Sequence, residues 1–136
     1  MFLKWLNMNE INNLQFYNTA LKLRELQLSL TASNIANQDT PNYKALGVNF
    51  KEQLAAKLSG KAQGLERTSD RHFAGVNDFG GVSVQYVEGG QIKADGNSVN
   101  PHLEATKIAQ ERNMYNAALN FSKNSAETIL NAMKFQ

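Results

Sequence analysis

The sequence predicts a mainly α-helical chain, with a long helix at each end and a small irregular middle that carries a short β-hairpin. Three observations predict it. The two end stretches lack interior proline and glycine and repeat apolar residues at helical spacing. Eight of the nine glycines crowd between Gly60 and Gly96. Within that crowd Val82, Val84 and Tyr86 alternate with Ser83 and Gln85, the period of a half-buried strand.

The first helix is read from about Asn9 to Ala36, with Ile11, Leu14, Leu21, Leu28 and Ile35 at helical spacing. It closes in Ser33-Asn34-Ile35-Ala36-Asn37-Gln38-Asp39-Thr40-Pro41-Asn42-Tyr43-Lys44. Asparagine tolerates left-handed backbone and bonds nearby main chain, while Pro41 drives Thr40 out of the helical region and forbids continuation. Tyr43 supplies an apolar ring and a polar tip to anchor the emerging chain. Residues 1–44 therefore form one unit, 45–98 an irregular middle with a short helix and a hairpin, and 99–136 the last unit. In the middle, Lys57 to Asn77 reads as loop, and Glu88-Gly89-Gly90-Gln91 leads into Ile92 as the return of the hairpin. The last helix runs from about Pro101, well suited to a first turn, to Met133.

At about 100° per residue each end helix shows two apolar stripes. On the first, Leu14, Tyr17, Leu21, Leu28 and Ile35 share one sector and Phe16, Leu23, Leu26 and Leu30 lie nearly opposite. On the last, Ile108, Tyr115, Ala118, Leu119, Ile129 and Met133 face one way and Met114, Ala117, Phe121 and Phe135 the other. A helix pair in a small monomer needs one apolar face per helix, so the second calls for another partner. The alternative is that the central region folds back over it.

Composition narrows the function. A formal charge of +2 arises from scattered Lys and Arg with no phosphate-binding stripe, which argues against nucleic acid. Cysteine is absent, and His72 and His102 stand far apart, so neither a thiolate nor a metal site is expected. Glu52, Glu66, Asp70 and Glu88 are isolated acids, Ser29 and Ser33 lack a nucleophile elbow, and no Gly-Lys-Ser or Gly-Lys-Thr follows the glycine pairs. No catalysis, cofactor or small-molecule substrate is expected. Lys22, Arg24 and Glu25, with Lys107, Glu111 and Arg112, read as solvated faces with near-neighbour pairing, or as selectors of neighbours. No apolar run is long enough to span a bilayer, and Met1 to Met8 lacks a signal-peptide pattern.

As a pattern, Ser33-Asn34-Ile35-Ala36-Asn37, then Asp39-Thr40-Pro41, then Tyr43-Lys44 resembles the N-terminal signature of the flagellar rod and hook axial proteins, nearest to their proximal-rod members. That family usually has glycine between Pro and Tyr; here it is Asn42, which a positive φ would tolerate. The likeness continues through Val48-Asn49-Phe50 and Leu54 and resumes at Asp95-Gly96-Asn97-Ser98-Val99, then at Glu104 and Tyr115. From about Leu58 to Ala94 it is loose.

The resemblance implies terminal helices paired as an antiparallel, coiled-coil-like layer lining a tube. It implies a structural subunit of the proximal rod that transmits torque and leaves the cell uncleaved through the flagellar type III channel. Its partners would be copies of itself, other rod proteins, the rod-base adaptor, the inner-membrane ring and the export apparatus, in the periplasmic part of the basal body. Candidate assembly residues are Leu14, Leu21, Leu28, Phe16, Leu23, Leu30, Met114, Tyr115, Phe121, Ile129 and Met133. Phe50 to Leu54 looks like the Phe-x-x-x-hydrophobic element by which such substrates engage the export gate, although any amphipathic turn, including Phe2 to Leu6, has that spacing. The rivals are another axial subunit and, from a different class, a small enzyme or binding domain with a pocket in its middle region.

Overall fold

The computed structural model describes residues 2–59, 81–87 and 90–134. The chain runs α1 (Phe2–Ala36), β1 (Leu46–Gly47), α2 (Phe50–Leu58), β2 (Gln85–Tyr86) and α3 (Pro101–Lys134). It is mainly helical, and α1 and α3 pack against each other along their length. They run antiparallel, since Asn34 meets Glu104, Arg24 meets Glu111 and Asn18 meets Ser122. Helix α1 begins at Phe2, earlier than the reading from about Asn9, because nothing in the first residues breaks a helix.

Caps set the other starts. Asn49 Oδ1 accepts from the Glu52 amide at 3.4 Å while its Nδ2 donates to Glu52 Oε2 at 3.1 Å, a reciprocal cap on α2. Asn100 Oδ1 accepts from the amides of His102 and Leu103, with Pro101 as the first helical residue of α3.

The strand through Gln85 and Tyr86 is present, but its partner is not the Ile92 segment. It pairs antiparallel with β1, Leu46 opposite Tyr86 and Gly47 opposite Gln85, and Ile92 lies outside any strand, 64% exposed. Gly47 permits the approach, since a Cβ there would sit 3.1 Å from Val87 Cγ2. The hairpin turn at Glu88 and Gly89 and most of the Lys57 to Asn77 loop lie outside the described residues, while Lys57 itself is in α2.

The core gathers at one end of the helix pair. Leu23 and Leu30 of α1, Ala45, Val82, Val84 and Val99 are buried there, where α2 and β1 pack against α1. The central region thus folds back over part of one α1 stripe, as the alternative reading had it. Farther along, Phe16 is 38% exposed and Met114 and Phe121 of α3 are each 54% exposed.

Candidate assembly site

Two buried asparagines organise the turn that joins the helices to the middle region. Asn34, in the last turn of α1, is fully buried. Its Nδ2 donates to the Leu46 carbonyl at 2.8 Å and to Glu104 Oε2 at 3.0 Å. Its Oδ1 accepts from the Leu46 amide at 2.9 Å and from the Tyr43 hydroxyl at 3.3 Å. The carboxamide therefore uses all its donors and acceptors. It bonds both main-chain groups of Leu46 as a neighbouring strand would, closing the edge of β1.

Asn97, equally buried, does the same for the loop. Its Nδ2 donates to the carbonyls of Asn37 and Thr40, each at 2.8 Å, and its Oδ1 accepts from the Val99 amide at 2.7 Å. The chain leaving α1 is thereby laced to the chain entering α3: Asn42 N–H donates to the Asp95 carbonyl, Ser98 N–H to the Tyr43 carbonyl, and Ala45 N–H to Ser98 Oγ. Asn42 has φ 60° and Gly96 φ 81°, so the two left-handed residues meet across this contact. A Cβ on Gly96 would run into Asn42 Oδ1, and the left-handed backbone there favours glycine in any case. Asn42 has the positive φ expected of it, and the Tyr43 hydroxyl reaches Asn34.

Glu104 is 2% exposed, held by Asn34 and by Lys107 Nζ at 2.7 Å. A buried carboxylate is tolerable only with such partners. Arg24 and Glu111, read as solvated charges, instead pair across the helices at 2.7 Å with side chains 17% and 15% exposed. The difference arises from register: both fall on the line of contact between α1 and α3.

On α3 that line passes through Glu104, Ile108, Glu111, Tyr115, Ala118, Ser122, Ser125 and Ile129, all buried or half-buried. The alternation of four- and three-residue steps is the coiled-coil repeat. On α1 it passes through Tyr17, Ala20, Arg24, Gln27, Thr31 and Asn34. The α1 seam is mostly polar and, apart from Tyr17, runs between the two apolar stripes rather than along either. Leu23 and Leu30 fall on the side that α2 and β1 cover. Leu14, Leu21 and Leu28 flank the seam on the other side and are half-buried. Tyr17 stacks on Phe121 there, with centroids 5.4 Å apart and planes at 18°. Of the remaining candidate residues, Tyr115 and Ile129 line the seam, half-buried, and Met133 is 65% exposed.

Phe50 opens α2 half-buried, its ring centroid 3.6 Å from Arg24 Cζ, and Leu54 is half-buried on the same helix. Of the turn motif, Ser33, Ala36, Asp39 and Pro41 are exposed and Ile35 is half-buried. Ser33 also accepts, through its carbonyl, from Asn37 Nδ2 at 2.8 Å. Among the described residues no His, Cys, Asp and Glu cluster could hold a metal, and no helix is long and apolar enough to cross a membrane. A shallow groove between α1, α3 and the strand pair is lined by Gln27, Thr31, Gln85, Glu104 and Lys107.

Sequence reasoning missed Asn97 as a clamp and the Arg24 to Glu111 pair. The first was visible only as a turn. The second could have been found by writing both helices in heptads from Asn34 and Glu104.

Comparison with known proteins identifies the family. Residues 14–44, which hold most of α1 and the turn motif, match the family described as flagella basal body rod protein. The chain is 34% identical over 115 residues to the flagellar basal body rod protein FlgB of Aeromonas hydrophila, covering 85% of this chain and 87% of that one. It is 33% identical over 131 residues to FlgB of Buchnera aphidicola subsp. Acyrthosiphon pisum, covering 93% and 98%. With FlgB of Cereibacter sphaeroides it shares 33% identity over 115 residues, 85% and 88% of the two chains. The chain belongs to the FlgB family of flagellar basal body rod proteins, structural components of the basal body rather than enzymes.

Proposed function

We propose that the chain is a subunit of the proximal rod that builds a tubular shaft through its terminal helices, packing against copies of itself and other rod proteins. The observation that carries this reading is the apolar surface left open beside the seam. Leu103, Met114 and Phe121 of α3 are half or more exposed and continue, at the Tyr17 to Phe121 stack, into the α1 stripe through Leu14, Leu21 and Leu28. Burying a Phe, Met or Leu contributes roughly 1.5–3 kcal/mol, so subunits that cover this strip gain much of their contact energy there. In the assembled shaft the helix pair lines the export channel and carries torque from the motor toward hook and filament.

The same reading has the chain exported uncleaved through the flagellar type III apparatus to the periplasmic part of the basal body. There the rod-base adaptor and inner-membrane ring are its neighbours on one side. Phe50 and Leu54 are its proposed contact with the export gate. Secretion of the Phe50→Ala variant separates the roles: normal export with failed assembly removes the gate role. The decisive test is deletion of the gene followed by imaging of basal bodies. Rods should be missing, and a complete rod in that strain refutes the proposal.

A further inference from the structure

We infer that Arg24 is a keystone coupling the docking of α2 to the pairing of α1 with α3, so that the apolar side of α2 beginning at Phe50 is covered only while α3 is in register. Among the described residues the backbone of α2 packs on α1 and not on α3. Arg24 reaches both helices. Arg24 Nη1 donates to Glu111 Oε2 of α3 at 2.7 Å, while its Cζ lies 3.6 Å from the centroid of the Phe50 ring. A guanidinium donates in its plane and stacks through its face, so a single arginine satisfies both neighbours at once; a lysine does one or the other.

The coupling follows from desolvation. Arg24 and Glu111 are each less than a fifth exposed, and a mostly buried cation that loses its carboxylate turns toward water. Turning draws the guanidinium off Phe50. A further tie on α2, Gln53 Oε1 accepting from the Ser83 amide at 3.2 Å, involves no residue of α3. During synthesis α1 and α2 precede α3, so Phe50 stays uncovered until the last helix docks. This inference concerns the folded monomer and stands whether or not the shaft reading holds.

Hydrogen exchange of the full chain tests it, read at the α2 amides and at Leu46 and Val99 near the clamp. In Glu111→Gln the α2 amides should exchange roughly three- to tenfold faster, the size of an ordinary coupling between contacting residues, with the clamp amides unchanged. Arg24→Lys should loosen α2 likewise although it keeps a charge for Glu111. In a Phe50→Leu background, Glu111→Gln should add nothing at α2. Unchanged α2 exchange in Glu111→Gln overturns the inference. So does acceleration by the same factor at the clamp, or full additivity with Phe50→Leu.

Discussion

The helix pair has two unlike ends. At the clamp end, the side chains of Asn34, Asn97 and Glu104 are buried and hydrogen-bonded, and α2 and the strand pair seal Leu23 and Leu30. At the free end the seam includes Tyr17, Ala20, Ala118, Ser122, Ser125 and Ile129, and among the described residues a side-chain bond from Ser122 to Asn18 at 2.9 Å and the stack of Tyr17 on Phe121 cross it. Phe16, Met114, Phe121 and Met133 lie exposed beside it. The difference teaches that the clamp end folds by satisfying its own polar groups. The free end leaves hydrocarbon open to solvent, the surface that the proposed contacts between subunits would cover.

The sharpest way to break this contrast is Asn34→Ala. It strands both main-chain groups of Leu46, the Tyr43 hydroxyl and one Glu104 oxygen, so we expect a loss of about 3–5 kcal/mol in denaturant unfolding. Gly96→Ala comes next. It forces a Cβ into Asn42 at positive φ and should cost about 1–3 kcal/mol by the same measurement.

Gln27 tests the seam from the other direction. Its Oε1 is buried without a hydrogen-bond partner, so Gln27→Leu should raise stability by about 1 kcal/mol, seen as a higher denaturation midpoint. The smallest effect on the monomer is expected at the free end. The variant Met114→Gln should shift monomer stability by less than about 1 kcal/mol, since the side chain is half exposed and glutamine keeps the helix propensity, yet disrupt rods in basal-body images. A monomer that unravels, or rods that form normally, would erase the distinction between the two ends. Proteolysis of the isolated chain should likewise cut the free end before the clamp.

Much of this was legible along the chain. Proline-free stretches with period-3.6 hydrocarbon read directly as α1 and α3, and Pro41 and Pro101 marked where one helix could not continue and the other could begin. The Asn34 to Lys44 motif was visible as a turn, and Asn42 as a left-handed residue, because both depend on local backbone preference. The partner of β2 was not legible, since Leu46 and Gly47 are too few to show alternation and lie far from it in sequence. Nor was the polarity of the α1 seam: a wheel ranks faces by hydrocarbon, and here the contact line runs between two apolar stripes.

By itself, then, the sequence determined the two long helices, the irregular middle and the turn chemistry, all carried by local spacing, while its turn motif resembled that of the flagellar rod family. Only the tertiary structure decided which apolar stripe is covered, that β1 and β2 pair, and that Asn34, Glu104, Arg24 and Glu111 are mutual partners. Those outcomes depend on bringing residues some 40 to 90 positions apart into one register. The energy that selects the register comes from desolvated polar groups finding one another, a property of the packed pair and not of either helix alone.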